Sequence, residues 1–346
     1  MLTKKKIPVR SILIYGFLPS FLKRIVYRIK GYKLSKGVKI GIGSVIIGED
    51  VTIGENSSVG FFTIIRAKTI KIDRFVQIGS LSYIDTERLE IGDDTRIREN
   101  VFVAGITSPK SLLKLGQRCL IGQYSFFNPS EPIVIGDDCG IGGGCKLFTH
   151  GSFLSVLDGY PVSFAPITLG SNVWIAWDVF VLPGVSIGSD VVVGARSFVT
   201  KNIPSKTLVS GNPAKVKVKN FPAPTSLQDQ LEVLRNTLDE FKSFLEYNKI
   251  QCSLDTVSDG KVLEVRVKRK YSRLTYLDTK DVLRNPQNSQ TIVSFYKPEG
   301  LEDLLKNSSV EMIICIESKE RIGTSELGEE FAKFISKYGI RFRRSD

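Results

Sequence analysis

Nine six-residue segments share one pattern between Leu115 and Phe198: LGQRCL (115–120), IGQYSF (121–126), IGDDCG (135–140), IGGGCK (141–146), LGSNVW (169–174), IAWDVF (175–180), VLPGVS (181–186), IGSDVV (187–192) and VGARSF (193–198). A branched apolar residue comes first, usually glycine follows, and a small or β-branched residue stands four places on. The same pattern extends back to about residue 40. A fixed period of this kind points to a repeat architecture. Branched or apolar residues fall at 53, 59, 65; 72, 78, 84; 91, 97, 103; 115, 121, 127; 135, 141, 147; 169, 175, 181; and 187, 193, 199. Within each triplet the step is six, and extra residues enter only between triplets. Every insertion therefore leaves from one corner of an 18-residue coil. Three short strands per coil make a triangular prism whose coils stack by parallel pairing at about 4.8 Å. The glycines are expected to permit close turns that a Cβ would hinder. The spacing predicts a parallel β-helix of about eight coils over residues 34–218. Its hand is left open, although ordinary β crossovers are right-handed.

From Ile167 to Val218 the ordered run NVWI, LPGV, IG, VG, VT, IP, GNPAK resembles the hexapeptide-repeat acyltransferases, in particular the maltose, galactoside and polysaccharide O-acetyltransferases. The resemblance covers about residues 34–218. It implies an all-β left-handed parallel β-helix, acetyl-CoA as acyl donor, a sugar or glycan acceptor and a homotrimer with the donor groove between adjacent prisms. O-acylation, N-acylation of an amino or nucleotide-linked sugar and a non-enzymatic scaffold all remain open at this point.

The net charge is +12, and eleven positive residues, from Lys4 to Lys39, precede the first acid, Glu49. Residues 1–48 thus carry +11, leaving 12 − 11 = +1 for the rest. Residues 1–33 form a basic arm around the apolar stretch SILIYGFLPSFL, residues 11–22. That stretch is too short to span hydrocarbon, which takes about 20 apolar residues. It is expected to cap the first coil, hiding an open strand edge, or to lie on an anionic membrane through residues 1–39. The reading is a cytoplasmic protein, peripheral at the inner membrane face if the arm binds lipid. Nucleic acid is a poor partner, because the arm carries no regular aromatic ladder and the body little positive field.

Cys119, Cys139 and Cys145 occupy the small fifth position of their hexads, where they read as buried fillers. With a single histidine in the chain, a zinc site is not expected. That also disfavours the hexapeptide-repeat carbonic anhydrases, which look to histidines for their metal.

Pro222 and Pro224 mark a linker, and residues 219–247 read as linker plus heptad helix. Leu227, Leu231, Leu234, Leu238, Phe241 and Leu245 follow a 4-3-4-3-4 spacing. This seam packs either on its own domain or on two copies about a threefold axis. Ser226 and Asp229 suggest a capping box. Residues 248–346 read as a small α+β accessory domain, with strands in VLEVRVKRKYSRLTYL, QTIVSFY, EMIICIES and GIRFRR. Helices are expected in EGLEDLLKN and in TSELGEEFAKFISKYG, the second stopped by Gly339.

His150 is the only histidine and opens the longest insertion, residues 148–168. An imidazole titrating near neutrality can take a proton from a hydroxyl and return one to a leaving thiolate. The resemblance gives the same role to the FTH segment. Relatives orient this base with a glutamate in the following loop. Here Pro161 stands at that position, and Asp158, the only acid in the loop, either substitutes or sits in the Asp158–Gly159 turn. Relatives also present an asparagine from the coil below. The register puts Tyr124 there, and Asn128 is the replacement candidate. For acetyl-CoA the resemblance points to Trp174 and Ala176, and the small Gly194 and Ala195 leave room for close ligand approach. Trp177 replaces a small residue and is read on the outer surface of its strand, while Lys201, Lys206 and Lys215 are candidates for the CoA phosphates.

Overall fold

A computed structural model describes residues 9–257, 260–267, 270–278, 290–297, 305 and 309–345. The chain divides into two compact units, Met1–Ala223 and Pro224–Asp346.

Three parallel faces make the first unit. Face one stacks eight strands from Lys33–Leu34 to Ser186–Ile187, and face three eight strands from Val45–Ile47 to Phe198–Val199. Face two has ten strands, from Lys39–Ile40 to Thr207–Ser210 and finally Lys215–Lys219, the last pair antiparallel. Each coil lays the same hexad position over its neighbour, as in the column Ile121, Ile141, Ile175, Val193, Val209. The seven triplets named from the sequence all point inward, none more than 5% exposed. Burying such a side chain contributes about 1.5–3 kcal/mol. The insertions 104–111, 129–132 and 148–166 all leave the edge between faces three and one.

The glycines do a different job from the one expected. The left-handed turn residue is the fourth of each hexad, and it is often not glycine: φ is +53° at Phe62, +59° at Leu81 and +60° at Tyr124. The second-position glycine answers instead to the next coil. A Cβ on Gly122 would lie 2.4 Å from the Gly143 nitrogen. Coil stacking, more than turning, requires the missing side chain.

The small fifth position is also more than filler. Ser57 Oγ donates to Asp73 O at 2.7 Å and accepts from Val76 N at 3.0 Å, tying two coils together. Cys119 Sγ donates to Gly136 O at 3.1 Å and Cys145 Sγ to Ala176 O at 3.0 Å in the same way. Burial pushes the Cys145 thiol up to about 11, so it is a poor nucleophile near neutrality.

A short helical segment, residues 9–16, and a helix, Ser20–Ile29, cover the first coil. Tyr15, Tyr27 and Tyr32 are buried there. The Tyr27 hydroxyl accepts from Ile46 N at 2.9 Å, and Gly43 N donates to Gly16 O at 2.7 Å. Lys23 is fully buried, its Nζ donating to Gly41 O at 2.5 Å and Ser44 O at 2.9 Å. These contacts satisfy backbone groups that an open end would leave unpaired. Desolvation pulls the Lys23 amine down from 10.5 to about 8. No helix among the described residues is long and apolar enough to cross a membrane.

The second unit has a seven-stranded mixed sheet among its described residues, with strands adjacent in chain order from Gln251–Val257 to Arg343–Ser345. The helix Leu227–Tyr247 starts at Ser226, whose Oγ accepts from Asp229 N at 3.1 Å and donates to Asp229 Oδ2 at 2.6 Å. Its Leu234, Leu238, Phe241 and Leu245 are buried against this sheet and the helix Glu326–Ile335. Phe241 meets Phe331 edge-on at 5.3 Å. The heptad face is therefore already covered, and it makes no threefold seam. By its packing the helix belongs to the second unit, not to a separate linker. Gly339, at φ +79°, ends the final helical turn. The expected helix EGLEDLLKN lies outside the described residues except for Leu305.

Candidate active site

The segment Phe148–Thr149–His150 alternates outward, inward, outward, as strand geometry requires. Phe148 joins the outer face of face three. Thr149 is buried, with Oγ1 donating to Asn128 O at 2.6 Å and accepting from Glu131 N at 2.9 Å. That clamp ties the root of the long loop to the coil below. His150 then pairs antiparallel with Phe164, and the imidazole stacks on the Phe164 ring at 5.5 Å and 18°.

Asn128 ends the strand Phe126–Asn128 directly beneath this corner. Its Oδ1 lies 2.9 Å from His150 Nδ1. Ser130 Oγ accepts from Ile106 N at 3.0 Å and donates to the same Oδ1 at 2.8 Å. A Cβ on Gly105 would come within 2.5 Å of that oxygen, so glycine leaves room for it. An amide oxygen accepts but does not donate, so the proton belongs on Nδ1. In a neutral ring that tautomer puts the lone pair on Nε2, as a base requires.

Asn128 thus stands where an orienting acid was expected. Asp158 lies in the exposed turn Val156–Asp158 and makes no hydrogen bond or ion pair with the ring among the described contacts. Tyr124 is an exposed turn residue on the edge between faces two and three, on the far side of face three from His150. Ser130 was missed; a serine two residues past the candidate asparagine gave no signal without the fold.

The candidate donor residues do not form one surface. Trp174 is exposed on face two. Ala176, Trp177, Gly194 and Ala195 lie on the edge between faces two and three. Trp177 belongs to that turn rather than to a strand, and a Cβ on Gly143 would strike its ring at 2.7 Å. Gly143 is thus the seat of the Trp177 ring, on the same edge as the exposed Tyr124. Arg196, passed over in the sequence, stands exposed at this edge. Lys201 sits on the same edge as His150, Lys206 on the edge between faces one and two, and Lys215 on the closing strand. No single prism edge gathers all three lysines.

Residues 44–62, 113–148 and 166–201 match the family described as the hexapeptide repeat of succinyl-transferase. WcaF of Escherichia coli (strain K12), assigned as a colanic acid biosynthesis acetyltransferase, is 38% identical over 127 residues, 37% of this chain and 67% of that protein. The chain belongs to the hexapeptide-repeat acyltransferases. Its prism is accordingly the left-handed helix of that family. The Staphylococcus aureus (strain MRSA252) acetyltransferase SAR2635 is 49% identical over 67 residues, 19% of this chain and 34% of that one. The solved polysialic-acid-specific acetyltransferase NeuO is 22% identical, covering 62% of this chain and 99% of its own, with a TM-score of 0.38.

Proposed function

We propose that this acetyltransferase moves the acetyl group of acetyl-CoA to a hydroxyl of a sugar or polysaccharide, with His150 as general base. The observation that supports the reading is the His150 Nδ1–Asn128 Oδ1 contact of 2.9 Å, which in the neutral tautomer with the proton on Nδ1 turns the Nε2 lone pair away from Asn128 at the root of the long insertion. The similarity to a protein assigned to colanic acid biosynthesis supports a saccharide acceptor.

Nε2 takes the acceptor hydroxyl proton as the oxygen attacks the thioester carbonyl. A backbone N–H holds the developing oxyanion. Collapse breaks the carbon–sulfur bond, and the imidazolium returns its proton to the departing thiolate. An ester and free CoA result, with no covalent acyl-enzyme. Ser130 holds the amide, and Asn128 steadies the imidazolium through its oxygen.

The donor would lie along the edge that carries Trp177, with Ala176, Gly194 and Ala195 on it, Trp174 on the adjoining face, and the exposed Arg196, 4.0 Å from Asp178, facing phosphate. Face three separates that edge from His150, so the site is completed by a neighbouring prism, as in a homotrimer. Tyr83, Phe102, Phe126, Phe148, Phe180 and Phe198 run as a ladder of rings on the outside of face three, with centroids 4.8–5.7 Å apart. Such a column offers an apolar face to a neighbouring subunit. Five free cysteines and a CoA donor suit a reducing, cytoplasmic compartment.

The test mixes the protein, acetyl-CoA and a panel of monosaccharides and polysaccharides, and follows free thiol. Thiol release that depends on one saccharide, with a product cleaved by mild base, is the expected result. A product that resists mild base would mean an amide. Absence of saccharide-dependent release across the panel would contradict the reading.

A further inference from the structure

The helix Ser20–Ile29 is inside out. Its buried side carries Lys23 and Tyr27, while Phe21, Ile25 and Ile29, at i, i+4 and i+8, stand 56%, 51% and 81% exposed. A stable surface helix normally does the reverse. Just before it, Leu13, Ile14 and Phe17 are exposed as well, at 69%, 70% and 56%. Capping the prism therefore accounts for the inner side of this element and leaves its outer side uncovered. Surface apolar clusters of this kind mark a contact.

The charge around the cluster identifies the partner. Residues 9–48 contain no acid, and Lys30, Lys33, Lys36 and Lys39 are exposed in the segment that follows the helix into the first strands. Exposed apolar side chains followed within a few residues by exposed lysines match the boundary between acyl chains and anionic headgroups. A protein partner would have to supply both an apolar socket and an acidic rim, whereas an anionic bilayer supplies both everywhere. We propose that the outer face of the N-terminal cap rests on an anionic lipid bilayer, docking the prism by its capped end. The apolar residues insert and the lysines meet the headgroups. The attachment proposed is peripheral and reversible; among the described residues no helix is long and apolar enough to span.

Full-length protein is sedimented with vesicles of phosphatidylcholine alone or mixed with phosphatidylglycerol, at low and raised salt. The expected result is partition at least about tenfold stronger on anionic vesicles and weakened by salt. Phe21→Ser/Ile25→Ser/Ile29→Ser should lower that partition by about tenfold or more, with the cooperative unfolding transition and light-scattering mass retained, since each of these side chains is more than half exposed. Lys33→Gln/Lys36→Gln/Lys39→Gln should reduce the salt-sensitive part. The proposal is overturned if the intact protein ignores anionic vesicles or if the serine variant binds them as well as wild type. It is equally overturned if that variant changes mass without losing lipid binding, which would make the face a contact between copies of the chain. None of these readouts depends on the transfer reaction.

Discussion

Asn128 Oδ1 accepts a hydrogen bond from His150 Nδ1 across two stacked coils, at 2.9 Å. Both residues stand where a strand of face three runs out into an insertion, so the rise of one coil sets their separation. Replacing Asn128 by alanine frees the ring and the choice of nitrogen that carries the proton. Losing a hydrogen bond that becomes charge-assisted on the imidazolium costs about 1.5–3 kcal/mol, so turnover should fall about 10- to 100-fold at unchanged acetyl-CoA affinity. Ser130→Ala, one step removed, should cost about 2- to 10-fold. Steady-state kinetics on the two variants checks the order.

Asp158 provides the contrast. Its turn is exposed and it is not bonded to the imidazole. Asp158→Ala should leave kcat within about twofold of wild type, the range of a surface substitution. A loss as large as that of Asn128→Ala would show that the carboxylate reaches the ring during turnover.

The two special positions of the hexad should respond oppositely. Gly122→Ala puts a Cβ 2.4 Å from a backbone nitrogen of the next coil and should destabilise by about 1–3 kcal/mol or more. Leu81→Gly removes an exposed leucine held at φ +59°. Relief of about 1–2 kcal/mol of left-handed strain offsets the greater entropy of glycine, so stability should hold or rise slightly. Denaturant unfolding of each variant measures both.

Lys23 couples the cap to pH. Its folded pKa, about 8, lies below its unfolded 10.5, so between these values the unfolded chain binds the extra proton and stability rises with pH. Below pH 8 both states are charged and this contribution is flat. Other groups titrate in the same window, so the comparison is wild type minus Lys23→Met. That difference in unfolding free energy should climb from pH 8 to 10.5. A falling difference would contradict the buried amine.

The prism was legible because its core positions obey a six-residue step that no insertion interrupts within a coil. The six-residue step alone gives Ile121, Ile141 and Ile175 one shared place in successive coils. The seam of the C-terminal helix was equally plain, but its partner was not, since a heptad face does not say whether Phe241 meets Phe331 of its own chain or another copy. The candidate catalytic corner was half legible. His150 stood out as the only imidazole, whereas its orienting group depends on two insertions superposing, and a shared edge cannot be read as a distance. Trp177 and the lysines were grouped by closeness in sequence, yet a coil of three faces carries residues five apart to different edges. Ser130 and Arg196 offered no pattern, because single polar residues at turns are common.

The central claim is tested most directly by the pH–rate profile of wild type and His150→Ala, with the acceptor identified by thiol release. If Nε2 takes the hydroxyl proton, the variant should lose about 10²- to 10⁴-fold in kcat, keeping its fold, mass and acetyl-CoA affinity. A variant that keeps more than about half of the activity across pH 6–8, against that expected loss, would contradict the account.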